Sequence, residues 1–247
     1  MSFSDFPAGA RVLTEGLPGD EAYLVLEGRI EVYRDLPGGR RVLGHVGPGG
    51  ILGEMALVDD GPRMASAVAV EPTRCRRVGR ATFAASFHQA PPLIRYLLQT
   101  QVNSIRNMAG APFSYANTLA MGGQAASSHT DTPLERRIFG AGQTVLTQGQ
   151  SGDAAYLVRN GLIELRRRIG TGPERKLRRL GPGCVFGEAA LLEKQPRSAT
   201  AVAVEPAVCE VIDAATFERL VASAPPVIRT LLHAYLRHIH DLERAGD

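Results

Sequence analysis

Two stretches of this chain carry residue types from which a small-molecule site could be built. "GEMALVDDGPRMAS" starts at Gly53 and "GEAALLEKQPRSAT" starts at Gly187. Each opens Gly-Glu-x-Ala-Leu and places an arginine, Arg63 or Arg197, ten positions after its glycine. A glycine ahead of a short helix-forming run puts backbone N–H groups without helical partners at a helix start, which suits an anion. The arginine can fold back over the same spot, and its planar fork matches phosphate oxygens. Glu54 and Glu188 would repel a phosphate unless each faces another part of the ligand, and a sugar hydroxyl gives such a carboxylate a donor to accept. Anion, sugar and base together describe a nucleotide.

The doubled motif belongs to a longer repeat. Phe6, Gly9, Leu13, Gly16, Gly19, Asp20, Tyr23, Val25, Gly28 and Glu31 return as Phe139, Gly142, Leu146, Gly149, Gly152, Asp153, Tyr156, Val158, Gly161 and Glu164. From Gly47-Pro48-Gly49, which pairs with Gly181-Pro182-Gly183, the offset is one residue larger, and it holds through Cys75 with Cys209 and Phe83 with Phe217. The slip falls between "DLPGGR" and "RIGTGPER", where a hairpin turn absorbs an insertion at little cost. A period this long marks two copies of a domain rather than a solenoid.

Within each copy, short β-branched or alternating runs ("AYLVLEG", "RIEVY", "SAVAVEP") lie between glycine turns, the signature of a small barrel or jelly roll. The period then becomes helical. "RATFAASFHQ" and "DAATFERLVAS" are followed by "PPLIRYLLQTQVNSIRNM" and "PPVIRTLLHAYLRHIHDLERA", with prolines at the first turn. Apolar stripes run along both long helices: Ile94, Leu97, Leu98, Val102 and Ile105, then Ile228, Leu231, Leu232, Tyr235, Ile239 and Leu242. The expected architecture is α+β: two tandem β-roll (jelly-roll) domains, at 1–108 and 134–247, each followed by helices including a long C-terminal one. Residues 109–133, rich in Ala, Gly, Ser and Thr, read as a linker. The stripes predict that the two long helices pair, either within one chain or between two chains as a homodimer.

The repeated stretch resembles the phosphate-binding cassette of cyclic nucleotide-binding domains, and the resemblance covers nearly the whole chain outside the linker. It implies that Gly53, Glu54, Met55, Ala56 and Arg63, with Gly187, Glu188, Ala189, Ala190 and Arg197, are ligand-binding. The glutamates would hold the ribose 2′-hydroxyl and the arginines the cyclic phosphate. Met64 or Ser198, which follows the arginine, and Ser66 or Thr200, two further on, stand where such domains contact phosphate or base. Gly28 and Gly161 match a glycine of the tight turn between early strands. The phenylalanine usual before Gly-Glu is Phe186 in the second copy and Leu52 in the first. A serine at 198, against methionine at 64, predicts a second site more tolerant of guanine than the first, with the preferred base at either site left open.

Composition limits the alternatives. Twenty-eight basic against 25 acidic side chains leave a formal charge of +3, too balanced to argue for a nucleic-acid partner. The basic stretches at 166–168 and 175–179 read as a solvated hairpin face. No apolar run reaches the roughly 20 residues of a membrane helix, and the start "MSFSDFPAGA" has no signal-peptide pattern. Three cysteines fit a reducing cytoplasm, with Cys75 and Cys209 as core residues. The histidines show no metal-ligand spacing, and no P-loop, nucleophile elbow or kinase signature occurs. With no stretch left over for an inhibitor segment or a helix-turn-helix, the expectation is a non-enzymatic, stand-alone receptor. It would bind cyclic AMP and/or cyclic GMP without a further cofactor and signal to an unidentified effector protein. The alternative is a scaffold whose Glu–Arg pairs are vestigial ion pairs or adapted to a cyclic dinucleotide such as cyclic di-GMP.

Overall fold

The computed structural model describes residues 2–108 and 134–245; the stretch read as a linker lies outside the described residues. Eight strands make up the first copy: β1 (Phe3–Phe6), β2 (Arg11–Leu13), β3 (Glu21–Glu27), β4 (Ile30–Leu36), β5 (Gly39–Val46), β6 (Ile51–Leu52), β7 (Ser66–Ala69) and β8 (Thr73–Gly79). They form two antiparallel sheets, ordered β1-β8-β3-β6 and β2-β7-β4-β5. Val25, Leu52 and Cys75 from one sheet meet Ile30 and Ala67 from the other in one core, so the strands alternate an inward apolar and an outward face. A short helix, α1 (Met55–Val58), sits between β6 and β7, and α2 (Arg80–Gln89) follows β8.

The second copy repeats this order. Its strands are β9 (Glu135–Phe139), β10 (Thr144–Leu146), β11 (Ala154–Asn160), β12 (Ile163–Arg167), β13 (Arg175–Leu180), β14 (Val185–Phe186), β15 (Thr200–Ala203) and β16 (Ala207–Asp213). The sheets run β14-β11-β16-β9 and β10-β15-β12-β13, strand for strand equivalent to the first pair. The one-residue slip is accommodated at the expected hairpin. Leu36 pairs with Gly39 across a tight turn in the first copy, whereas pairing stops at Arg167 and Arg175 in the second. Gly28 and Gly161, both at φ +85°, make the turn into β4 and β12, and a Cβ there would run into the carbonyl of Pro72 or Pro206.

The helices are α3 (Pro92–Met108), α4 (Glu188–Glu193), α5 (Ala214–Ser223) and α6 (Pro226–Ala245). Two compact units result. One runs to Gln89; the other takes in Ala90–Met108 together with the described residues after the linker, so α3 follows the first roll in sequence and packs in the second unit. There α3 lies against α6, the pairing that the stripes predict. Leu93, Ile94, Leu97, Leu98 and Val102 are wholly buried, as are Ile228, Leu231 and Leu232 on α6. A stripe of this kind is stable only when covered by a second apolar surface.

The basic hairpin is not simply a solvated face. Buried Glu164 on β12 gathers Arg166 Nε at 2.9 Å, Arg179 Nε at 3.0 Å and Lys176 Nζ at 3.5 Å. Arg167 is itself buried and donates through Nε to the Ser198 carbonyl at 3.0 Å. No described helix is long and apolar enough to cross a membrane.

Candidate functional site

Each motif lies where a two-residue strand, β6 or β14, runs into a short helix. Gly53 (φ +80°) and Gly187 (φ +82°) turn the chain in the left-handed region, which any larger residue would strain. A Cβ on either glycine would also stand 2.7 Å from the Nη1 of its arginine, Arg63 or Arg197. The glycine therefore serves both the turn and the close approach of a guanidinium.

The arginines are built in the same way twice. Arg197 donates from Nη1 to the Gly187 carbonyl and from Nη2 to the Ala154 carbonyl, both at 2.6 Å. Arg63 donates from Nη1 to the Gly53 carbonyl and from Nη2 to the Glu21 carbonyl, the latter at 2.7 Å. Their main chains are clamped alike: Arg63 N–H donates to Leu17 O and Arg197 N–H to Gln150 O, at 2.9 and 2.8 Å. These bonds all go to main-chain carbonyls, so the backbone itself sets where each guanidinium lies.

Opposite the motif glycines stand Gly19 and Gly152, where a Cβ would overlap the guanidinium carbon of Arg63 or Arg197. Reading the motif alone misses these two. Their signal was the Gly-Asp pair repeated in both copies, but its meaning appears only once the loop before β3 or β11 folds over the cassette. Both arginines are buried, Arg197 to 4% exposure. Burial pushes both guanidinium groups below the ordinary arginine value. The fields of Tyr23, Glu54 and Asp20 at Arg63, and of Tyr156, Asp153 and Glu188 at Arg197, act the other way. An arginine stays charged through such shifts. Each site thus holds a positive charge withdrawn from water, and a guanidinium has more N–H donors than two carbonyls use.

Glu54 and Glu188 are buried beside the arginines, at 7% and 5% exposure. Glu54 precedes α1 as its N-cap, whereas Glu188 is already the first residue of α4. Ala56 and Ala190 are buried, while Met55 and Ala189 are half-buried. Ser66 Oγ accepts from Glu15 N–H at 3.0 Å, and Thr200 Oγ1 accepts from Gln148 N–H at 3.1 Å. Both hydroxyls therefore also pin the loop after β2 or β10 to the cassette. Met64 is half-buried and Ser198 exposed.

The copies differ in how the cassette helix is held. In the first, Arg80 at the start of α2 donates from Nη2 to Gly19 O at 2.8 Å and Ala56 O at 3.2 Å, and it also pairs with Asp20 and Asp60. The equivalent position in the second copy is Ala214. No cluster of three or more metal-ligating side chains occurs among the described residues.

The sequence model of the cyclic nucleotide-binding domain matches twice, over residues 3–89 and 136–224, together more than half of the chain. A cAMP-dependent protein kinase regulatory subunit from Yarrowia lipolytica is 31% identical over 79% of this chain; the chain spans about half (48%) of that relative's length. The regulatory domain of Toxoplasma gondii PKA with cAMP is 24% identical, covering 94% of this chain and 84% of that one, with a TM-score of 0.39. The Thermus thermophilus catabolite activator protein is 35% identical over 46% of this chain and 54% of its own, with a TM-score of 0.41.

Proposed function

The chain belongs to the cyclic nucleotide-binding domain family, and on that premise we propose that it binds cyclic AMP and/or cyclic GMP at two sites, one per cassette, and passes the resulting change of shape to a separate effector protein. It acts as a binding protein, not as an enzyme. The observation that carries the reading is the twice-built nook of a buried arginine held between two glycines and two carbonyls, next to a buried glutamate.

In this reading Arg63 and Arg197 take the cyclic phosphate, whose charge offsets the desolvation of the guanidinium. Glu54 and Glu188 accept the ribose 2′-hydroxyl. The amides of Met55-Ala56 and Ala189-Ala190, behind Gly53 and Gly187, complete the cradle. Ser66 and Thr200 can donate to the ligand through the hydroxyl proton while their oxygens keep the loop amides. Ser198 offers guanine a hydrogen-bonding partner where Met64 offers only apolar contact. The name of the Yarrowia lipolytica relative, a cAMP-dependent kinase regulator, supports cyclic AMP as the first ligand to try.

Calorimetry on nucleotide-free protein with cyclic AMP, cyclic GMP and cyclic di-GMP tests the proposal. A charge-assisted bond contributes roughly 1.5–3 kcal/mol, so Arg63→Ala or Arg197→Ala should weaken its own site at least about tenfold and leave the other. A double variant that binds as tightly as the wild type would end the reading.

A further inference from the structure

Helix α3 follows the first roll in the chain, yet its polar side chains reach the cassette of the second copy. Tyr96 donates its hydroxyl to the Gly183 carbonyl, in the turn before β14. Gln101 donates from Nε2 to Glu188 Oε1 at 2.7 Å, and Arg178 Nη1 on β13 reaches Ser104 Oγ at 3.3 Å. Gln101 is 3% exposed and Glu188 5%, so the amide–carboxylate bond is shielded from water. The positions of α6 equivalent to Tyr96 and Gln101 are Thr230 and Tyr235. Neither copies the residue that α3 uses, so the repeat does not explain this contact.

The chemistry of the donor matters. A lysine or arginine at position 101 would neutralise the carboxylate and compete with any ligand donor for it. A glutamine amide fixes one oxygen by a neutral hydrogen bond and brings no positive charge of its own to the carboxylate. In a water-poor site an oriented acceptor is stronger than one that must reorganise when the ligand arrives. We propose that Gln101 is a positioning residue of the second nucleotide site, holding Glu188 for the ribose 2′-hydroxyl, so that the second site is complete only with α3 docked. This rests on the nucleotide reading given above. By linkage, whatever ligand at Glu188 does to the docking of α3, that docking does to ligand affinity.

The test uses the full chain in two backgrounds, Arg63→Ala to leave the second site and Arg197→Ala to leave the first. Gln101→Met keeps the length of the side chain and removes the donor; Gln101→Glu keeps its shape and sets a like charge against Glu188. Each is titrated with cyclic AMP and with its 2′-deoxy analogue, which has no hydroxyl for Glu188 to accept. Gln101→Met should weaken cyclic AMP at the second site by about five- to tenfold, and Gln101→Glu by more. The 2′-deoxy analogue at that site, and cyclic AMP at the first site, should change less than about twofold. Equal losses for both ligands would mean that Gln101 merely supports the fold and would overturn the proposal. So would unchanged cyclic AMP binding in both variants, with the nucleotide reading left standing. A wild type that titrates with neither ligand at either site would remove the nucleotide reading, and the role of Gln101 with it.

Discussion

Arg80 reaches from the first turn of α2 to the carbonyl oxygen of Ala56 in the cassette helix α1, with Nη2 and O 3.2 Å apart. The same guanidinium holds Gly19 O, so one side chain joins the cassette, the loop over it and the helix that follows the roll. The side chain is 39% exposed, which limits the contribution of these bonds to about 1 kcal/mol. Arg80→Ala introduces the residue that the second copy already has at Ala214. Amide hydrogen exchange should then quicken several-fold in Met55–Val58 while Glu188–Glu193 stays as it was. Unchanged exchange in α1 would show that Arg80 does not restrain the cassette.

The glycines opposite the motif allow a second prediction. A Cβ at Gly152 would stand 2.5 Å from Arg197 Cζ, and one at Gly19 would overlap Arg63 in the same way. The guanidinium cannot yield without leaving the carbonyls that hold it. Gly152→Ala should therefore weaken the second site by roughly tenfold or more with the first untouched, and Gly19→Ala the reverse. Circular dichroism should show the strands intact. Calorimetry that finds both sites unaltered would mean that the nook does not need its shape.

Much of this was legible in the residues. The period of the repeat, the glycine turns and the β-branched runs pointed to two tandem β-rolls, and the quoted runs fall on β3, β4 and β7, because each of those signals acts locally. The Gly-Glu and Pro-Arg pairs marked where a short helix and a buried arginine come together, for the same reason. The pairing of α3 with α6 was legible, but the polar contacts of α3 were not. Its apolar stripe shows that a partner surface is needed, but Tyr96 and Gln101 look like ordinary surface residues until Gly183 and Glu188 arrive opposite them. Ser66 and Thr200 are a similar case, since their bonds to Glu15 and Gln148 cross from strand to loop. Long-range polar contacts leave no period in a sequence.

The three thiols should react in a set order. Cys75 and Cys209 are buried, whereas Cys184 is half-buried. Burial raises the Cys75 thiol, and it pushes the Cys209 thiol up to about 11. At pH 8 that leaves Cys209 about one part in a thousand thiolate, against roughly a quarter for an ordinary cysteine. Iodoacetamide at pH 8 should modify Cys184 first and reach the other two on the timescale of opening, with all three labelled in denaturant. Rapid labelling of Cys209 in the folded protein would contradict the packing of the second core.

Acid should remove one specific support of the second copy. Asp213 is the N-cap of α5, its carboxylate accepting from Thr216 N–H at 2.8 Å. That backbone bond, with a further one from the Thr216 hydroxyl, holds the carboxyl below its ordinary value of 3.8. The folded state thus binds the Asp213 proton less readily than the unfolded chain does, so stability from this group rises with pH. It is complete above the unfolded value, near pH 4, and fades as pH falls through the lower folded value. Replacing such a cap by alanine costs about 1 kcal/mol, whereas glycine costs only a few tenths. Asp213→Ala should therefore be less stable than the wild type by about 1 kcal/mol at pH 7 in denaturant titrations. The gap should narrow below about pH 4 and close once both chains carry a protonated or absent carboxyl there. A gap of constant size from pH 7 to pH 2 would mean that the aspartate acts through its shape and not through its charge.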